Sequence, residues 1–275
     1  MQAASRESYG LVRDRLDAQV RQAEPSALLR LADELLSIAG LLAAEPRLRR
    51  ALADPSRPAA DRTDLLNTVL GDRVSEQTRE LAGALVGGRW SSSVDLLNAV
   101  EQLGVEALLA SADRAETLAS VEDDLFRFGQ VVDGDRALAA ALSDSTAPVD
   151  KRQELVRGLL DGKVDVVTVR LAELAVAGFG GRNFTASLSR LVELAAERRQ
   201  RRVAYVTVAS PLSEADEERL TATLARIYGQ QVSLKVAVVP EVLGGISIQI
   251  GHDLYDGTVL RRLNQARTAL TGRTR

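Results

Sequence analysis

The chain has 275 residues, 45% of them apolar and 27% charged, with a formal net charge of −3. It contains no cysteine and only His252 among histidines, which excludes disulfides, thiolate metal sites, cysteine nucleophiles and multi-histidine centres. The acidic balance argues against a general nucleic-acid binder, and three lysines against 32 arginines reads as codon bias before it reads as a binding signal.

The length predicts about two domains, or three small ones. Aromatic residues are 3% of the chain, so the core is aliphatic; Ala and Leu favour helices over sandwiches. The first ten residues, MQAASRESYG, carry no basic apolar leader, and no signal peptide is expected. A helix is predicted over Ser8 to Gln22. The next apolar run, Leu35 to Ala44, lies between Glu34 and Glu45 and is about half the length that spans a bilayer. A short helix ends at Asp54, and Pro58 stands where proline is tolerated, at a helix start. Two helices follow, separated near Gly71, with stripes at Leu65, Leu66, Val69 and Leu70 and at Leu81, Leu85 and Val86. After Gly87-Gly88-Arg89 a long helix is predicted over Ser91 to Ala112.

The plan then recurs. Shifted by 90, Leu48–Gly88 aligns without a gap on Leu138–Gly178, with 14 of 41 pairs identical, where composition alone gives about four. The pairs include Leu52/Leu142, Asp54/Asp144, Pro58/Pro148, Arg62/Arg152, Leu65/Leu155, Leu70/Leu160, Thr78/Thr168 and Leu81/Leu171. After a three-residue insertion Gly180-Gly181-Arg182 matches Gly87-Gly88-Arg89, and a last helix runs from Phe184 to Arg199. Each copy reads as a compact helical bundle. The segment Val100 to Ala112 is expected to serve both as the last helix of the first copy and as the first of the second.

Past Arg202 the period changes from helical to alternating. Val203 to Ser210 places Ala204, Val206 and Val208 on one face of a strand. Ser213 is an expected N-cap, with Asp216, Glu217 and Glu218 in the first turn. Leu220, Leu224 and Ile227 form the buried stripe of that helix, and Gly229 ends it. A second strand puts Val232, Leu234, Val236 and Val238 inward, and a third does the same with Ile246, Ile248 and Ile250. An acidic turn and a final helix burying Val259, Leu263, Ala266 and Leu270 complete a β-α-β-β-α order. The predicted fold class is mainly α, two repeated bundles followed by a small α+β domain. The expected boundaries are 1–112, 113–200 and 201–275.

Four features invite a chemical reading and have plainer ones. Gly158 to Val164 is one residue short of a phosphate loop and has Val164 where a hydroxyl would hold magnesium; it reads as a helix–helix turn. Arg198 to Arg202 could bind nucleic acid or lipid, yet falls where a helix C-terminus favours cations. Glu122, Asp123 and Asp124 read as a solvated face, with no second group for acid–base work. Trp90, whose repeat partner is Asn183, reads as bundle-end packing.

The stretch from Val238 to Leu270 resembles the C-terminal signature of the delta subunit of F-type ATP synthases (the oligomycin-sensitivity-conferring protein family). Pro240, Gly244, Gly245, Gly251, Asp256, Gly257, Val259, Arg262 and Leu263 carry the likeness. Residues from about Ala115 to Leu270 match the pattern of one bundle plus this domain, and the first copy is an additional bundle, as in the longer actinobacterial forms. A histidine follows Gly251 where many relatives have Asp or Ser; His252 is expected to face solvent. The resemblance implies a non-enzymatic stator connector without cofactor or metal. Its bundle would bind N-terminal helices of alpha subunits, and its C-terminal domain the C-terminal helices of subunit b. Such a protein reaches the cytoplasmic face of the plasma membrane only through the complex. It implies glycines with conformations closed to other residues and Asp256 capping the last helix. The alternative is a helical-repeat adaptor binding RNA or a regulatory protein through the arginine run.

Overall fold

A computed structural model describes residues 2–200, 203–228, 232–239, 244–250 and 253–257, and its contacts divide the chain into two compact units, Met1–Ala195 and Ala196–Arg275. The first unit is helical: α1 (Ala3–Val20), α2 (Pro25–Ala44), α3 (Pro46–Ala53), α4 (Ala59–Leu70), α5 (Glu76–Gly87), α6 (Ser93–Arg114), α7 (Leu118–Gly134), α8 (Arg136–Ser143), α9 (Val149–Leu160) and α10 (Val166–Ala177), then a 3-10 turn at Phe179–Gly181. The last helix, α11 (Phe184–Gln200), carries the boundary between the units.

The repeat is kept to the residue. α3 and α8, α4 and α9, and α5 and α10 have equal lengths and are offset by 90. Pro58 and Pro148 are the N-cap residues of α4 and α9. Asp54 and Asp144 each close the turn before these helices: Asp54 Oδ1 accepts from Ser56 N at 2.9 Å, and Asp144 Oδ1 from Thr146 N at 2.9 Å. Such a side chain replaces the backbone turn bond. The N-terminal helix begins earlier than its apolar pattern, at Ala3, because Ser5 is fully buried and tied in by hydrogen bonds.

Arg62 and Arg152 explain why the repeat keeps an arginine. Arg62 is 4% exposed. Its guanidinium donates to the carbonyl oxygens of Gly88 (2.9 Å), Gly87 (3.3 Å) and Leu52 (3.5 Å). Arg152 donates to Leu142 O and Val176 O, both at 3.1 Å. One cation thus satisfies carbonyls left over at the C-termini of two helices, where the dipole is negative.

α6 stands apart. From Leu103 to Asp113 every residue is buried, so the C-terminal half of the helix is enclosed on all sides rather than amphipathic. It packs on α1, α2, α3 and α5 of the first copy and on α7, α10 and the 3-10 turn of the second. Shifting α1 by 90 lands within α6. The last helix of one bundle is therefore the first of the next, and a single apolar core runs through both copies. Arg170 on α10 and Asp33 on α2 form an ion pair between the copies.

The second unit contains β1 (Val203–Val208), α12 (Glu214–Tyr228), β2 (Ser233–Val238), β3 (Ile246–Ile250) and β4 (Asp253–Asp256). The sheet order is β2-β1-β3-β4; β1 and β2 are parallel, the other pairs antiparallel. Ser213 caps α12, its Oγ accepting from Asp216 N at 3.2 Å. Ala204, Val206, Val208, Leu224, Val232, Ile248 and Ile250 form the core. Three details differ from the sequence reading. The acidic turn is a strand: β4 pairs residue for residue with β3, and its acidic ends hid a β pattern only two apolar residues long. The inward stripe of α12 continues from Leu224 to Tyr228, while Ile227 is 48% exposed. Val238 is 46% exposed at the end of the edge strand β2. The predicted final helix and Gly229 lie outside the described residues.

Candidate interaction surfaces

Among the described residues no group of three or more His, Cys, Asp or Glu side chains is placed to hold a metal ion, and no helix is long and apolar enough to cross a membrane. The phosphate-loop look-alike is the turn between α9 and α10, with Gly162 at φ 71° and Lys163 Nζ donating to Leu159 O at 2.8 Å. The lysine, in the turn, closes the end of the preceding helix α9. Trp90 is buried, its indole N–H donating to Leu85 O at 2.7 Å, while Asn183 Oδ1 accepts from Ala186 N at 2.9 Å at the start of α11. Asp123 is exposed and pairs with Arg127 at 3.9 Å, as a solvated helix face does, whereas Glu122 and Asp124 are half-buried and not part of a fully solvated face. Arg198 and Arg199 occupy the last turn of α11; Arg201 and Arg202 lie outside the described residues.

The family-motif residues divide likewise. Gly244 and Gly245 have φ of 81° and 88°, the left-handed region open to glycine, immediately before β3. Asp256 ends β4 opposite Ser247, and Gly257 N donates to Ile246 O at 2.9 Å. A side chain at Gly257 would bring its Cβ to 3.2 Å from that same oxygen. The sheet thus brings Gly245 and Gly257 to the same end of β3. Pro240, Gly251, His252, Val259, Arg262 and Leu263 lie outside the described residues, as does the helix that Asp256 is expected to cap.

Among the described residues, α12 covers one face of the sheet and the other carries half-exposed side chains. Tyr205, Gln249 and Leu254 are partners across β1, β3 and β4, on the face opposite Val206 and Ile248. Tyr205 is 50% exposed and Leu254 61%. On the other face Tyr228 Oη of α12 donates to Tyr255 Oη at 3.3 Å. Sequence reasoning missed Leu254 and Tyr255 because it placed them in a turn.

The first copy holds its helices by buried polar contacts. Glu106 on α6 accepts from Tyr9 Oη at 3.4 Å and pairs with Arg13 Nε at 3.3 Å; burial, reinforced by this carboxylate, pushes the Tyr9 phenol well above its ordinary value. Glu34 on α2 accepts from Ser75 N (2.8 Å), Ser75 Oγ (2.6 Å), Thr78 Oγ1 (2.5 Å) and Arg30 Nε (2.8 Å). Burial alone would raise its pKa, but these hydrogen bonds outweigh it and hold the carboxyl at about 2. In the second copy Asp165 caps α10 by itself, accepting from Val167 N at 2.8 Å. The folded form of Glu34 thus binds its proton more weakly than the unfolded form does. The stabilisation is complete above the ordinary carboxylate pKa and is lost as pH falls toward 2. Glu34→Gln should therefore cost about 2 kcal/mol at pH 7 and nearly nothing by pH 2. Urea unfolding of both proteins across that window checks it; a cost independent of pH would contradict the assignment.

The second copy has an open groove between α7 and α11. It is a cavity of about 300 Å³ lined by Leu125, Phe126, Gly129, Phe184, Leu188 and Val192 with the polar Gln130, Thr185 and Ser189; among the described residues Asp133 and Glu193 are the charged ones.

The family described as ATP synthase delta (OSCP) subunit matches residues 105–270, from within α6 to beyond the described strands. The ATP synthase subunit delta of Salinispora arenicola (strain CNS-205) is 61% identical over 274 residues, 99% of this chain and the whole of that protein. The subunit of the same name from Streptomyces griseus subsp. griseus is 43% identical over 272 residues, and that from Thermobifida fusca 39% over 272, each covering 99% of this chain and all of the relative. The likeness thus includes the first bundle, and the chain belongs to the ATP synthase delta (OSCP) subunit family.

Proposed function

We propose that this chain is the delta subunit of an F-type ATP synthase, a non-catalytic connector of the peripheral stalk that links the catalytic head to the membrane proton channel through subunit b. The observation that carries the reading is full-length identity of 61% to a relative named ATP synthase subunit delta. Its part in ATP synthesis is mechanical: it keeps the head from turning with the rotor, so proton transport stays coupled. A task of that kind needs broad, slowly dissociating contacts and no cofactor. The buried arginine and carboxylate ties of the bundles suit it.

Residues 1–112 are the additional bundle, 113–200 the delta-type bundle and 201–275 the docking domain. N-terminal helices of alpha subunits bind the bundles in the manner of helices in grooves. The C-terminal helices of subunit b bind the docking domain, where Pro240, Gly244, Gly245, Gly251, Asp256, Gly257, Val259, Arg262 and Leu263 shape the surface. The protein lies at the cytoplasmic face of the plasma membrane, held there by the complex. Two contacts on one body also raise the effective concentration of each.

A peptide copying the C-terminal end of subunit b tests this. Calorimetry with the full chain should show saturable binding, and hydrogen exchange should slow in β1, β3 and β4 while α1 to α10 are unchanged. Folded protein that gives no heat, or ATP turnover that tracks with the purified chain, overturns the reading.

A further inference from the structure

The seam between the first helix of a bundle and its Gly-Gly-Arg turn is closed in one copy and open in the other. In the first copy Ser8 of α1 ties the turn down: its Oγ accepts from Arg89 N and donates to Arg89 O, both at 2.9 Å. The approach is so close that a Cβ on Gly88 would lie 3.0 Å from Ser8 Cβ. In the second copy α6 takes the place of α1, and the 90-residue shift puts Asn98 where Ser8 stands. The three-residue insertion lengthens the turn, and a Cβ on Gly181, the counterpart of Gly88, would meet nothing within 4 Å. Between helix and turn lies a cavity of about 200 Å³. Asn98 and Gln102 of α6 line it, with Phe179, Gly180 and Arg182 of the turn and Arg190 of α11.

We infer that this cavity binds a small tetrahedral oxyanion of the phosphate type, free or as the terminal group of a phosphate ester. Its polar side chains are of one chemical kind. Two carboxamides and two guanidinium groups can all donate hydrogen bonds, and among the described lining residues there is no carboxylate. Arginine's planar fork matches phosphate oxygens two at a time. The turn also presets Arg182. Gly180 has φ 63°, and a Cβ there would collide with Arg182 Nη1, so glycine is what lets the guanidinium lie against the turn. Two carboxylates fix the walls from outside the lining: Glu101 accepts from Gly180 N at 2.7 Å, and Glu193 from Arg190 Nη1 at 2.9 Å. Their charges weaken the attraction, so millimolar rather than micromolar affinity is expected. The volume is below the roughly 300 Å³ at which pockets for whole small molecules begin, so the site takes the anionic group and leaves the rest of an ester in solvent. The inference is independent of the delta-subunit reading, since it stands on the turn alone.

Titration of the full chain with inorganic phosphate, at ionic strength held constant with potassium chloride, tests this by amide NMR. The Gly180 and Gly181 signals should shift saturably, half-way at low-millimolar phosphate, while those of Gly87 and Gly88 stay in place. Arg182→Gln should weaken binding about tenfold or more, the loss expected for a charge-assisted hydrogen bond, with its melting temperature unchanged. Arg182→Lys should restore only part of the affinity. Arg127→Gln, at an exposed position on α7, should leave it as it is. Adenosine monophosphate is the second arm: tighter binding than phosphate at the same signals assigns the site to an ester, and equal or weaker binding to the free anion. Shifts that grow without saturating, that chloride reproduces, or that survive Arg182→Gln overturn the inference and leave the delta-subunit reading standing.

Discussion

Removal of residues 1–92 should leave a second bundle that still folds, whereas removal of residues 1–110 should abolish it. The two cuts differ only in α6. The first keeps Ser93–Arg114 whole; the second leaves its last turn. Leu103, Val105, Leu108 and Leu109 are each at most 1% exposed in α6, and α6 packs on α7, α10 and the 3-10 turn. Burying a side chain of this size contributes about 2 kcal/mol. Losing three or four removes about 6 to 8 kcal/mol, comparable with the whole stability of a domain. Far-UV circular dichroism should show a cooperative helical transition for the chain 93–275, at lower temperature than the full protein because the α2-facing side of α6 is bared. The chain 111–275 should lack that transition, and its α7 to α10 segment should be cut rapidly in limited proteolysis. Equal protease resistance of the two would contradict the sharing of α6. A cut at residue 105, where the family match begins, falls inside the same helix but keeps Val105, Leu108 and Leu109 and loses only Leu103 of these four, so it should be far less damaging than the cut at 111.

Arg62→Ala should be among the most damaging single substitutions in the first bundle. The guanidinium is buried and serves three carbonyls at the ends of α3 and α5. Alanine would leave these acceptors without their donor and open a cavity between the helices. A cost of about 3 kcal/mol is expected, which lowers the melting temperature of a unit this size by about 8 °C. Arg62→Lys keeps the charge but loses the planar fork, so it should recover only part of the loss. Arg152→Ala should cost less, since Arg152 is only half-buried and makes two such bonds. Differential scanning calorimetry of the three variants orders them. If Arg62→Lys matches wild type, charge alone suffices and the fork is irrelevant.

Much of this architecture is written in the residues, for identifiable reasons. The repeat was readable because Leu52, Arg62 and Leu81 do structural work that Leu142, Arg152 and Leu171 also do, so their spacing survives. Pro58 and Pro148 fixed helix starts because proline's missing N–H belongs there. The double duty of α6 was only half legible. A helix buried on every side loses the polar stripe that marks its period, so Val100–Ala112 looked like the end of one bundle as much as the start of another. β4 was hidden for the opposite reason, since Asp253 and Asp256 bracket just Leu254 and Tyr255. The groove of the second bundle could not be read at all. It depends on Phe126 standing 55% exposed where its repeat counterpart Leu36 packs against the core, a difference that appears only in space.

The shared helix also bears on how a stationary arm carries load. Two bundles tethered by a loop would add a soft joint, and torque would be spent bending it. Here one continuous helix packs on elements of both bundles, with its residues from Leu103 to Asp113 all buried. Shear at that junction must deform packed side chains instead of swinging a tether. The first bundle is therefore joined to the second through packed side chains, not through a tether.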